Sequence, residues 1–221
     1  MKKINALLLS AVTILMSVTL MVVGSFALFT DTVTIQNSLQ AGKLEVTLIR
    51  ASVVTTKLNA SGVTETATDD VDKDFEELAN ESVFGFGEED MLVPGIYSEA
   101  AFVIANNSDV AFGYYVKVEL DDAENVKLAE QMKVSVVTGL TVSGDETNYT
   151  CATNDSVKSF DKMLSEGLTV GAENSFIGTV AVGEKQGFSI RLTFDENATE
   201  EYMNLSTAFK VTIYAIQNTA A

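Results

Sequence analysis

Apolar and polar positions alternate along much of this chain. From Leu28 to Leu39 the odd positions read Phe29, Asp31, Val33, Ile35, Asn37 and Leu39, and the even ones Leu28, Thr30, Thr32, Thr34, Gln36 and Ser38. A period of two predicts a β-strand with one largely apolar face and one threonine-rich face. Ala41-Gly42 interrupts the pattern, and β-branched residues resume in "KLEVTLIRASVVTTKL", residues 43–58. Further strand-like runs lie at 99–106, 111–120, 132–137, 176–182, 187–194 and 208–217. Turn formers such as Asn106-Asn107-Ser108-Asp109 and Gly183-Glu184-Lys185 separate several of them. Strands joined by links of mostly antiparallel length predict a mainly β fold, a jelly-roll-like antiparallel β-sandwich.

Three segments predict short helices inserted at the ends of the sandwich: 73–81, 123–131 and 156–167. The last has Val157, Phe160 and Leu164 at helical spacing, with Ser156 or Asp155 as N-cap. Residues 59–72 are polar and predict a loop. No repeat and no interdomain linker is visible, so residues 28–221 read as one sandwich domain.

Residues 1–27 read as a signal peptide. Lys2-Lys3 precede an apolar run from Ile4 to Val23, and Ser25 and Ala27 occupy the −3 and −1 positions of a small-x-small cleavage site. The run is also long enough to span a bilayer, so a retained membrane anchor is the competing expectation. The small residues at the cut, and the lack of a basic stop-transfer cluster after Ala27, favour cleavage.

Charge narrows the partners. The chain carries 31 acidic and 14 basic residues, and without Lys2 and Lys3 the balance becomes 31 against 12, a net charge of −19. Such a surface repels nucleic acid and anionic lipid. Cys151 is the single cysteine, which excludes an intrachain disulfide. It lies in "NYTCATND", where alternation puts Tyr149 and Cys151 on one face and predicts a buried thiol.

Candidate chemistry is sparse. With no histidine, neither an imidazole-ligated zinc site nor a Ser-His-Asp triad can be built. Asp70, Asp72, Asp74 and Glu81 match the 1, 3, 5 and 12 offsets of a calcium-binding loop, but Phe75 stands where the sharp turn requires glycine. A solvated acidic helix start is the favoured reading of the cluster, with weak surface calcium binding as the alternative. "GFGEED", residues 85–90, lacks the lysine of a phosphate loop. No cofactor is expected.

The stretch "GSFALFTDTVTIQNSLQAGKLEVTL" resembles the start of the TasA/camelysin family of secreted bacterial biofilm-matrix proteins. The likeness rests on Ala27 at the cleavage site, Phe29-Thr30-Asp31, and Ala41-Gly42-Lys43-Leu44 leading a second strand. Pro94-Gly95, the turn at Asn106-Asn107 and the closing Ala215-Ile216-Gln217 resemble later family features; residues 123–175 match none. The resemblance implies release by a dedicated signal peptidase and a jelly-roll-like subunit that polymerises into extracellular fibres. It also implies that the freed N-terminal segment adds as a strand to a neighbouring subunit. The alternation at 29–39, with Phe29, Val33, Ile35 and Leu39 on one face, suits that role.

The expectation is therefore a non-enzymatic, secreted structural subunit of a biofilm matrix or cell surface. Its expected partners are further copies of itself head to tail, the signal peptidase and other matrix components, with no nucleic acid. The alternative is a monomeric or membrane-anchored surface-binding module, in which residues 28–39 form the first strand of their own sandwich. A camelysin-like protease comes last.

Overall fold

Alternation on this scale buries one face of each strand and leaves the other to solvent, so the stable arrangement stacks two sheets face to face. The structure is a computed structural model and describes residues 29–38, 44–58, 64–69, 73–74, 84, 94–121, 126–145, 148–198, 202 and 207–217. In chain order its strands are β1 (Phe29–Ser38), β2 (Val46–Leu58), β3 (Thr64–Asp69), β4 (Lys73–Asp74), β5 (Tyr97–Asn106) and β6 (Phe112–Leu120). After a single-turn helix α1 (Val126–Ala129) come β7 (Met132–Ser143), β8 (Thr150–Ala152), β9 (Lys158–Met163), β10 (Leu168–Val170), β11 (Gly178–Val180), β12 (Lys185–Phe194) and β13 (Thr207–Gln217).

The smaller sheet runs β1-β13-β6-β10, with β11 also on β6; the larger runs β3-β2-β5-β12-β7-β8, with β4 on β2 and β9 on β7. The result is the mainly β, jelly-roll-like sandwich that the alternation predicts. Its core lies between the sheets. Ala100, Phe102 and Ile104 face inward from β5, Phe188, Ile190 and Leu192 from β12, and Phe209, Val211 and Ile213 from β13. The Phe188 ring sits between Phe102, at 5.3 Å, and Tyr114 of the opposite sheet, at 5.8 Å. Burial holds the Tyr114 phenol well above the usual tyrosine range, so it stays protonated.

A β-bulge at Ala51 lies between Arg50 and Ser52, and it inverts the inward parity of β2 from Leu48 before it to Val53 after it. On the outer face of the larger sheet a second apolar cluster gathers Ile49, Ala51, Val103 and Tyr149, with Cys151 packed against it. The thiol is half-buried rather than fully buried, on the short strand β8, which pairs with the end of β7 and also touches β2 and β5. It sits 3.8 Å from the Phe102 carbonyl oxygen, above Gly187, where a Cβ would approach Sγ to 3.2 Å.

Three predicted elements differ. The segment 156–167 is not a helix: Lys158–Met163 is strand β9, paired with Lys133–Thr138, and only Leu164–Glu166 turns as a 3-10 helix. The cause is Asn154. Its Oδ1 accepts from the Ser156 N–H at 2.7 Å, while its amide donates to the Gly139 carbonyl at 2.7 Å and Thr141 Oγ1 at 2.8 Å. That turn steers the chain back along β7, and a twelve-residue helix is too marginal to resist. Within the polar segment 59–72, Thr64–Asp69 forms β3 against β2, since a threonine-rich stretch beside the open edge of β2, away from β5, completes a ladder. The helix expected over 73–81 does not begin at Lys73, because Lys73–Asp74 bridges to β2; residues 75–81 lie outside those described. Of the helix expected over 123–131, the described part is the single turn α1, Val126–Ala129, which buries Leu128 and Ala129, and residues 123–125 lie outside those described.

A polar row crosses the outer face of the larger sheet. Arg191 donates through Nε to Glu99 Oε2 at 2.9 Å and lies over the Tyr97 ring, and Ser189 donates to Glu99 Oε1 at 2.6 Å. Farther along the row, hydrogen bonds from Ser135 and then Ser159 hold the Asp161 carboxyl below the usual carboxylate range.

Phe188→Ala should destabilise the fold by about 3–5 kcal/mol, read as a fall in the denaturation midpoint. Asp161 favours the folded state above the carboxylate pKa of the unfolded chain, and that contribution disappears as pH falls through its depressed folded value. Melting curves of wild type and Asp161→Asn should therefore differ slightly at neutral pH and converge in acid. A gap that widened on acidification would contradict the assignment.

Candidate functional site

A strand inside a sheet needs a hydrogen-bonding neighbour on each side. Strand β13 has β6 on one side, antiparallel, from Phe209 opposite Leu120 to Gln217 opposite Phe112. On its other side lies β1, parallel over ten positions, from Phe29 level with Thr207 to Ser38 level with Ile216. Among the described strand pairs this is the one parallel ladder. The next strand in the chain, β2, belongs to the other sheet. No hairpin ties β1 to β13, and β1 has no second neighbour among the described strands.

The register is informative. Val33 is level with Val211 and Ile35 with Ile213, and both partners face the core. Thr207, Phe209 and Ala215, level with Phe29, Asp31 and Asn37, are also buried. The odd positions that the alternation marked thus coincide with the inward positions of β13. Strand β13 is a stiff template. Its Tyr214 stacks on Tyr115 of β6 with centroids 4.4 Å apart and planes 8° apart, and Phe209 meets the buried Phe84 ring at 5.7 Å. Phe176 covers the neighbouring Gly113, where any Cβ would collide with its ring.

At the end of the sandwich where β1 finishes, Asn106 is fully buried. Its amide donates to the carbonyls of Val110 and Val180, each at 2.9 Å. Its Oδ1 accepts from the Ser108 N–H at 2.9 Å and from the Ser108 hydroxyl at 2.6 Å. The sequence marked this stretch as a turn. Nothing in residue type or spacing showed that it would reach β2 and β11 together.

Of the other sequence-predicted sites, Ser25, Ala27, Leu39, Asp70, Asp72 and Glu81 lie outside the described residues. Asp74 sits in β4, opposite Ile49. Among the described residues no three acidic, cysteine or histidine side chains gather as metal ligands, and no helix is long and apolar enough to cross a membrane. An open depression lined by Gly95, Gln131, Lys133, Met163, Phe194 and Asp195 lies at another sheet end. No family model matches the chain, and neither a curated protein nor a solved structure proved similar to it.

A strand with one neighbour opens more readily than one held on both sides. In native-state hydrogen exchange the β1 amides should therefore exchange well before those of Phe188 to Leu192 in β12, which β5 and β7 flank. Equal protection would show that β1 opens only with the whole fold.

Proposed function

We propose that this chain is a secreted structural subunit that polymerises head to tail by N-terminal strand addition into extracellular biofilm-matrix or cell-surface fibres. The observation that carries the reading is the parallel β1–β13 ladder at a sheet edge, formed by a strand with no hairpin to its partner. Such a strand can be supplied by its own chain or by another copy with the same contacts, which is the basis of strand exchange. A donor strand from one copy leaves that copy's own β13 edge for the next donor, so the contact need not close and repetition gives a filament.

The leader fits the same scheme. While residues 4–23 remain in the membrane, the strand beginning at Leu28 is tethered there. Cleavage after Ala27 frees it. The resemblance of Phe29-Thr30-Asp31 and Ala41-Gly42-Lys43-Leu44 to the TasA/camelysin pattern supports this reading.

The second reading is a monomeric surface-binding module. It draws on the same ladder, because within one chain β1 occupies its own edge. A short tether gives the chain's own strand a millimolar effective concentration, so exchange needs high subunit concentration or further contacts between copies.

Removal of residues 28–38 separates the readings. Under strand addition the truncated protein is a folded monomer with near-native circular dichroism, and electron microscopy finds no filaments at concentrations where wild type forms them. A synthetic 28–39 peptide at a hundred times its dissociation constant should restore about 2.7 kcal/mol of stability. Val33→Asp should also block filaments. Outright unfolding of the truncated chain would favour the monomeric reading, and filaments without residues 28–38 would exclude strand addition.

A further inference from the structure

We infer that the Asn106–Ser108 turn is the post from which the N-terminal strand is delivered: it fixes Glu45 to the body of the sandwich, so that movement of β1 begins upstream of that residue. The inference rests on the strand-addition reading and adds positioning residues to it.

Glu45 is held at both backbone groups. Its N–H donates to Ser108 Oγ at 3.1 Å, and its carbonyl accepts from the Asn107 N–H at 3.0 Å. Ser108 has one hydroxyl hydrogen and two candidate acceptors, Asn106 Oδ1 at 2.6 Å and the Glu45 carbonyl at 3.3 Å. The shorter contact takes the hydrogen, which leaves the Ser108 oxygen to accept from Glu45. The hydroxyl thereby couples Glu45 to a buried amide. Asn107 adds a hydrogen bond from its side-chain amide to Thr47 Oγ1 at 2.9 Å.

The post is anchored independently of Glu45. The Asn106 N–H donates to the Glu184 carbonyl at 2.9 Å, and its carbonyl accepts from the Gly183 N–H at 3.0 Å. With the two amide bonds to Val110 and Val180, one buried residue ties β5, the 107–111 turn, the end of β11 and the β11–β12 turn together. Leu44, just before Glu45, packs against the core. A strand leaving this point starts from a fixed place and direction, which lowers the ordering cost of docking.

Two variants break the same hydrogen bond from opposite sides. Ser108→Ala removes the acceptor. Glu45→Pro removes the donor without altering the turn, at the entry of a strand, where proline is tolerated. Each should remain folded, with near-wild-type circular dichroism before assembly. Each should elongate filaments about fivefold more slowly, the equivalent of about 1 kcal/mol for one partly buried hydrogen bond. The double variant should be no slower than either single one, and Ser108→Thr, which keeps the hydroxyl, should recover the rate. Wild-type elongation in both single variants, while the chain lacking 28–38 stays monomeric, would overturn the post and leave strand addition standing. Filaments from the chain lacking 28–38 would overturn both.

Discussion

Strand β13 cannot stand at an open edge without cost. Its inward residues Phe209, Val211, Ile213 and Ala215 are almost fully buried, and every second residue of the strand points its backbone N–H and C=O away from β6. A parallel strand beside it satisfies those groups. What selects that strand is register and alternation, not chain connection, because β2 starts in the other sheet. The slot is specified chemically. Any segment with the same alternation, presented in the same direction, meets the same requirements.

That distinction governs the balance between one chain and many. Filling the slot from within keeps the local concentration of strand high and the edge covered. Filling it from a neighbour gains no new ladder contacts, so the preference must come from the link between strands, from contacts between whole subunits or from mass action. The net charge of −19 over residues 28–221 opposes close approach of copies at low ionic strength. Salt screens that repulsion beyond about 8 Å at physiological strength. On the strand-addition reading, the charge keeps free subunits apart and soluble while the strand supplies the specific attachment.

Much of this fold was legible in the sequence, because period-two alternation records directly which face of a strand is buried. The runs at 99–106, 111–120, 187–194 and 208–217 match β5, β6, β12 and β13 to within two residues at each end. The failures have a common physical source. At 156–167 helical spacing was present, but the long strand β7 offered a ladder and Asn154 turned the chain into it. At 64–69 a polar composition hid a strand whose partner, β2, supplied the pattern. Local preference is a fraction of a kilocalorie per residue, and a completed ladder outweighs it. Residues 29–38 were legible as a strand, but their parallel pairing with β13 was not, since alternation carries no information about partner or direction.

Asn106 shows the same limit at a single side chain. In the sequence it was one of several asparagines in a turn. In the fold it is the point where the β5 end, the β6 entry and the β11–β12 turn meet, and Ser108 extends that junction to Glu45. The junction also lies at the end of the sandwich where the slot beside β13 finishes, because Ile216 pairs with Gly113 and Gln217 with Phe112. Residues 39–44 join Ser38 to Glu45, and those seven Cα-to-Cα steps reach at most roughly 25 Å. Within one chain that link needs to cross only the end of the sandwich. Between chains, the β13 end of the acceptor must come within the same reach of the donor's Glu45. The length of the link and the fixed position of Glu45 together therefore limit how two copies can be arranged. On the strand-addition reading, the spacing and rigidity of the fibre follow from this end of the sandwich as much as from the strand itself.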